Sequence, residues 1–107
     1  MAIFTEINAN EAWNLVNEQN AHIIDTRDAQ AFALQHPQNA FHLTDASYPD
    51  FLQQYDEEQP LIITCYHGIN SRQVANFLAE QGFEQVYSLK GGFESWLKAN
   101  LPTEKSQ

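Results

Sequence analysis

Only one cysteine, Cys65, occurs in the 107 residues, so no internal disulfide can form and the paired thiols of a structural zinc site are missing. A lone thiol of this kind belongs to a reducing compartment, and the cytoplasm is the expected location. Basic residues are scarce too: 5 Lys and Arg stand against 14 Asp and Glu, a formal net charge of -9. That balance argues against a nucleic-acid partner, because neutralising phosphates takes clustered cations. An anionic substrate would be repelled at long range, so any attraction must be made locally, by backbone N–H groups and a few cations. No apolar run reaches the ~18 residues of a membrane span, and the opening MAIFTEINANEAW lacks a basic start and a long apolar stretch. Neither membrane insertion nor a secretory leader is expected. Repeats and low-complexity tracts are absent, and the length suits one domain over residues 1–107, with Pro102 to Gln107 reading as a frayed polar tail. A chain of this size buries roughly 60–70% of its unfolded surface, enough for one core without staples.

What is present alternates between strand and helix patterns. Ala2 to Ile7 reads as a short strand. Asn8 followed by Glu11 forms a capping-box pattern ahead of Ala12, Leu15 and Val16, which predicts a helix over Asn8 to Glu18. His22 to Asp25 is a second strand. Ala29 to Gln35 has helical spacing stopped by Pro37, and Asn39 to Leu43 reads as a third strand. Tyr48 to Gln54 predicts a short helix with Phe51, Leu52 and Tyr55 on one side. Leu61-Ile62-Ile63-Thr64 is the most apolar run, the mark of a central parallel strand buried on both faces. Ser71 to Gln81 places Val74, Ala75, Phe77 and Leu78 on one helix face, with Gly82 after its end. Gln85 to Leu89 is a fifth strand, and Gly92 to Ala99, with Phe93, Trp96 and Leu97 in phase, a closing helix. The pattern predicts a small α/β domain: a mostly parallel five-stranded sheet with helices on both faces and right-handed crossovers.

A lone cysteine is usually a small buried hydrophobe. Cys65 differs by its position, one residue beyond the most buried strand, where open α/β sheets bind their ligands. Tyr66, His67, Gly68, Ile69 and Asn70 then lead into a helix starting near Ser71. An arc between a strand end and a helix N-terminus turns backbone N–H groups inward, Gly68 permits a backbone conformation that a side chain would hinder, and the helix start adds about half a positive charge. Such a cradle favours the thiolate, the nucleophilic form.

Three stretches of the chain, in order, resemble the rhodanese family. Cys65 to Asn70 has the form of its active-site loop, Cys-x-x-Gly-x-x at the end of the central strand. HIIDTRDAQAFALQHPQNAFHL, His22 to Leu43, is similar to its N-terminal signature, and LKGGFESW, Leu89 to Trp96, to its C-terminal Gly-Gly-x-x-x-Trp. The resemblance implies a rhodanese-like fold and sulfane-sulfur transfer by a ping-pong route. In that route the Cys65 thiolate takes the outer sulfur of thiosulfate, sulfite leaves, and cyanide or a dithiol such as thioredoxin or dihydrolipoate discharges the Cys65 persulfide. No cofactor beyond that covalent persulfide, and no metal, is implied. The backbone from Tyr66 through His67, Gly68, Ile69, Asn70 and Ser71 would hold the substrate oxyanions, and Arg72 would be the nearest steering cation. Two departures stand out: Asn70 occupies the sixth loop position, where many single-domain members carry arginine, and Gln35-His36-Pro37 lacks the usual glycine before its histidine.

Around the loop, His67 is expected to contribute its backbone N–H while its ring faces solvent, and Tyr66 to pack beside the loop. Asp25 and Arg27, by family analogy, are expected to form a supporting ion pair. His22, His36 and His42 have no metal-ligand spacing with Cys65. Gly91 and Gly92 are read as a tight strand-to-helix turn. Two other functions compete. Phosphatases and arsenate reductases of related architecture need Cys-x5-Arg, and the residue at that place is Ser71. A non-catalytic binding module, or a relay passing persulfide between proteins, would use the same fold, although loss of the nucleophile is typical of inactive modules and Cys65 and Gly68 are retained.

Overall fold

The computed structural model describes residues 4–106. Strand β1, Thr5–Ile7, covers the second half of the expected first strand, of which residues 2 and 3 lie outside the described residues. Helix α1, Ala9–Gln19, starts from the expected capping box: the Asn8 side chain accepts from the Glu11 N–H, and the Glu11 carboxylate accepts from the Asn8 N–H, both at 2.8 Å. It runs one residue past the expected end and stops at Asn20, whose φ of 57° is left-handed, a conformation asparagine tolerates.

After strand β2, His22–Asp25, comes helix α2, Ala29–Leu34, capped by the Asp28 carboxylate on the Ala31 N–H. This helix ends before the expected Gln35, because Gln35 is extended and leads into a two-residue strand β3, His36–Pro37. The strand expected over Asn39 to Leu43 contracts to β4, Phe41–His42, since Asn39 turns through a left-handed φ of 65°. Then follow α3, Tyr48–Gln54, β5, Leu61–Thr64, α4, Asn70–Glu80, β6, Val86–Leu89, and α5, Gly92–Lys98. The last element is β7, Thr103–Glu104.

Five strands make one parallel sheet in the order β1-β6-β5-β2-β4, so β5 lies at its centre. That explains the unbroken apolar run: all four β5 residues are 0% exposed, helices covering the sheet above and below. Alternate residues divide between two cores. Ile23, Ile62 and Leu89 join Ala12 of α1 with Phe93 and Trp96 of α5, whereas Ile24, Leu61, Ile63 and Val86 join Phe51 of α3 with Ala75 and Leu78 of α4. Each of the larger apolar side chains among these contributes about 1.5–3 kcal/mol by leaving water. Three residues expected inward fall outside this division: Leu52, Phe77 and Leu97 are 47%, 45% and 40% exposed. They sit at the margins of their helices' apolar stripes, which the sheet does not reach. Because every strand of this five-stranded sheet is parallel, their carboxyl ends share one edge, and the segment after β5 emerges beside the segment after β2.

The expected frayed tail is a correction. Residues 103 and 104 pair antiparallel with Pro37 and His36, the Trp96 indole N–H donates to the Pro102 carbonyl at 2.8 Å, and the Ser106 N–H donates to the Ala33 carbonyl at 3.0 Å. Polar side chains join in: the Glu104 carboxylate accepts from the Asn39 N–H and lies 3.3 Å from His36 Nε2. Composition suggested fraying, but a fully buried Trp96 whose indole N–H needs an acceptor ties the chain down. Ending the chain at Pro102 should therefore lower stability by about 1–3 kcal/mol in urea titrations while the five-stranded sheet still folds. An unchanged midpoint would mean that the tail is frayed after all.

Candidate active site

The bond between Thr64 and Cys65 is where sheet becomes loop. The Thr64 carbonyl accepts from both the N–H and the hydroxyl of Thr26 at 2.9 Å, so the segments after β5 and β2 are stitched together immediately before the cysteine. From there the loop curls back over its own sulfur. Cys65 Sγ accepts from the Gly68 N–H at 3.2 Å and from the Ser71 N–H at 3.3 Å. Helix α4 has no side-chain cap: its entry residue, Ile69, is helical, and no cap hydrogen bond is made there. The sulfur occupies that role, taking an amide that a serine or aspartate would normally satisfy.

Glycine at 68 is a steric requirement. Its φ is +84°, and a Cβ there would lie 2.6 Å from the Gly91 nitrogen and 2.9 Å from the Leu89 carbonyl oxygen. The second glycine of the Leu89-Lys90-Gly91-Gly92 run does more than turn the chain. A Cβ on Gly92 would come within 2.6 Å of the Cys65 carbonyl oxygen and of the Tyr66 carbonyl group. Its absence lets the start of α5 press onto the loop, where the Phe93 N–H donates to the Cys65 carbonyl at 2.7 Å and the Glu94 N–H to the Tyr66 carbonyl at 3.3 Å. Those bonds fix the first two peptides of the turn, and the Gly68 and Ser71 N–H groups beyond them face the sulfur. Sequence reasoning took these glycines for a turn alone; a paired glycine at a helix start directly after a strand was the signal that a second backbone approaches closely.

Burial pushes the Cys65 thiol up, but hydrogen bonds from the Ser71 hydroxyl and from the N–H groups of Ser71, Gly68 and His67 outweigh it and hold the thiol below the ordinary cysteine range. Cys65 is nevertheless only 4% exposed, so a small reagent is favoured over a bulky one.

The other expected residues sort themselves by contact. The Tyr66 hydroxyl donates to Asp28 at 3.0 Å, anchoring the loop to the cap of α2. His67 points to solvent, 68% exposed, with Nδ1 3.8 Å from Glu94. Ile69 and Asn70 are exposed and present only backbone to the turn. Arg72 leaves the loop for the sheet edge, its Nε 3.9 Å from the Glu6 carboxylate. Asp25 and Arg27 form a buried bidentate pair, with contacts of 2.7 to 3.1 Å, and Arg27 also donates to the Gln35 carbonyl at 2.6 Å. The guanidinium lies between aromatic rings, 4.1 Å from the Phe93 centroid and 5.7 Å from that of Tyr66. Arg27 thus supports both the loop and the helix pressed upon it.

The histidines have other partners: His22 Nε2 meets Gln59, His36 stacks on Phe32 with centroids 3.8 Å apart, and His42 Nε2 donates to the Arg27 carbonyl at 2.6 Å. Among the described residues no group of three or more His, Cys, Asp or Glu could hold a metal ion, and no helix is long and apolar enough to cross a membrane. A cleft of about 590 Å³ opens beside the loop, between the ends of β2 and β4 and helices α3 and α4, lined by Asp28, Tyr48, Val74 and Phe77 among others. None of residues 65–71 lines it, so the sulfur's own surroundings are the turn and not this cleft.

Residues 8–99 match the model of the rhodanese-like domain. The chain belongs to the rhodanese-like domain family. Among related rhodaneses, the thiosulfate sulfurtransferase GlpE of Actinobacillus pleuropneumoniae is 52% identical over 101 residues, 94% of each chain. The GlpE of Vibrio cholerae is 48% identical over 103 residues, 96% of this chain and 97% of that one. The solution structure of a rhodanese-like domain from Anabaena shares the fold with a TM-score of 0.83, covering 96% of this chain and 80% of that one at 23% identity.

Two measurements follow for this rhodanese. The Cys65 thiolate absorbance, titrated with pH, should have its midpoint below the unperturbed 9.0, and unfolding in urea should return it there. The sign follows: a depressed folded-state value adds stability as pH rises from the folded midpoint to 9.0, so the Cys65→Ser variant should lose that rise. Asp25→Ala, which strands a buried Arg27, should cost about 3–5 kcal/mol by denaturant titration.

Proposed function

We propose that this chain is a thiosulfate sulfurtransferase in which Cys65 carries the sulfur. The observation that carries the reading is the convergence of the Gly68 and Ser71 N–H groups on the Cys65 sulfur at the carboxyl edge of a parallel sheet. The names of the relatives at 48% and 52% identity support the same substrate.

The chemistry follows from those donors. Cys65 as thiolate attacks the outer sulfur of thiosulfate, the bond between the two thiosulfate sulfurs breaks, and its electron pair leaves on sulfite. The product is a Cys65 persulfide, an anion at neutral pH, which the amides aimed at the cysteine sulfur would stabilise as they stabilise the thiolate. In the second half-reaction cyanide attacks that outer sulfur, thiocyanate departs and the Cys65 thiolate is restored. With a dithiol such as thioredoxin or dihydrolipoate, one thiol takes the sulfur and the other expels it as hydrosulfide, closing a disulfide. No bound cofactor enters either step, and a single reactive thiol kept reduced fits the cytoplasm.

Substrate charge is met by dipoles here. Arg27 is committed to Asp25 and Gln35, and Arg72 to Glu6, so neither guanidinium is a dedicated anion clamp. The six residues from Cys65 to Asn70 close a turn around one sulfur, whereas phosphoryl transfer would use an arginine where Ser71 stands.

Incubation with thiosulfate should add one sulfur, ~32 Da, to the intact protein and not to Cys65→Ser, and cyanide should remove it as thiocyanate, as an activated thiolate requires. Absence of both adduct and thiocyanate would turn the reading to a relay fed by a protein donor. Gly68→Ala should cut kcat/KM by about 10²-fold or more, the loss typical of one misplaced anion donor, while Arg72→Ala should cost less than about 3-fold. The opposite order would place the main attraction in side-chain charge.

A further inference from the structure

Strand β6 carries a hydroxyl where its neighbours are apolar. Val86 and Ser88 share one face, and Val86 belongs to the core beneath α4; Ser88 is fully buried. A buried hydroxyl is costly without a partner. Its partner is the Ser71 hydroxyl, also fully buried, with the two oxygens 2.8 Å apart. Ser71 lies in the first turn of α4, and its N–H already donates to the Cys65 sulfur at 3.3 Å.

Either oxygen could donate across this contact, and what separates the two arrangements is that Ser71 also lies beside the Cys65 sulfur, a further acceptor. Among the described residues Ser88 Oγ has Ser71 Oγ as its single hydrogen-bond partner. Were Ser71 to donate, the Ser88 proton would be buried with no acceptor. With Ser88 donating, its proton is satisfied and the Ser71 hydroxyl keeps its own proton for the Cys65 sulfur, whose thiolate it favours; each hydroxyl then polarises the next.

We propose that Ser88 is a positioning residue: its hydroxyl donates to Ser71 Oγ and so turns the Ser71 O–H onto the Cys65 sulfur, completing a two-hydroxyl relay from the sheet to the reactive atom. Action on the thiolate depends only on this geometry, whereas action on the persulfide rests on the sulfur-transfer reading. Neither Ser88 nor β6 contacts the sulfur through an N–H, so the effect must pass through Ser71.

The test is the pH profile of Cys65 alkylation by iodoacetamide, unambiguous because the chain has one thiol. Ser88→Ala should shift the profile to higher pH, slowing alkylation about 2- to 10-fold below the midpoint and leaving the high-pH plateau unchanged, the range carried by one hydrogen bond of ordinary net strength. Ser88→Thr and Ser88→Val, equal in shape and differing in the hydroxyl, should separate: threonine keeps the native profile and valine follows alanine, a comparison that stands if Ser88→Ala fails to fold. In a Ser71→Ala background Ser88→Ala should produce no further shift. A profile indifferent to the Ser88 hydroxyl, or a shift that persists without Ser71, overturns the relay, as does a change confined to the plateau. Alkylation needs no thiosulfate, so a chain that took up no sulfur would undo the sulfurtransferase reading and leave this result intact.

Discussion

Everything at the carboxyl edge of the sheet depends on one turn that must bring two amide N–H groups back onto the sulfur of the residue that starts it. A six-residue return of this kind cannot be made by ordinary backbone, and the structure meets the cost at two glycines. Gly68 adopts a left-handed φ inside the turn, and Gly92 lets a neighbouring helix lie against the turn's outer carbonyls. The held carbonyls, of Cys65 and Tyr66, open the turn whose later peptides present the Gly68 and Ser71 N–H groups, so the contact at Gly92 supports the same turn that Gly68 closes. Removing either support would let the peptides rotate and turn the field at the sulfur around.

The electrostatics obey a similar economy. In a chain of formal net charge -9, a cation displayed at the site would be drawn to the surrounding carboxylates, and this is what happens to Arg72 beside Glu6. Arg27 is spared exposure by burial, yet burial obliges it to pair with Asp25 and to lie against aromatic rings. Backbone dipoles escape that competition because the fold orients them and no side chain can neutralise them by moving. The result is a small region favouring negative charge within an acidic molecule, strong at the sulfur and short in range.

Stability and reactivity are joined through the same residues. Asp25 and Arg27 hold the end of β2 to the end of α2, and Arg27 carries the ring of Phe93, whose N–H fixes the Cys65 carbonyl. Tyr66 fastens the loop to the cap of α2 through Asp28. The loop is therefore braced from β2, α2 and α5, although the N–H groups on the sulfur come from the loop itself and the start of α4.

Local order was legible in the residues themselves. The Asn8 and Glu11 capping box, the four-residue run of β5, the helix after Ser71 and the position of Cys65 all express short-range rules of capping, periodicity and strand burial, which need no knowledge of the rest of the chain. The family signatures added the Asp25 and Arg27 pair, which spacing alone could not assign. What the residues did not disclose is set by distant partners. Thr103 and Glu104 look like tail until Trp96 and His36 supply their bonds; Phe77 and Leu97 look like core until the sheet proves too narrow to cover them. Gly92 and Ser88 carry no local sign of serving Cys65, being 27 and 23 positions away along the chain. Sequence alone determined which thiol could react and why its loop favours an anion, because those follow from adjacent atoms; only the tertiary structure decided what holds the loop closed, because that depends on which backbones are pressed together.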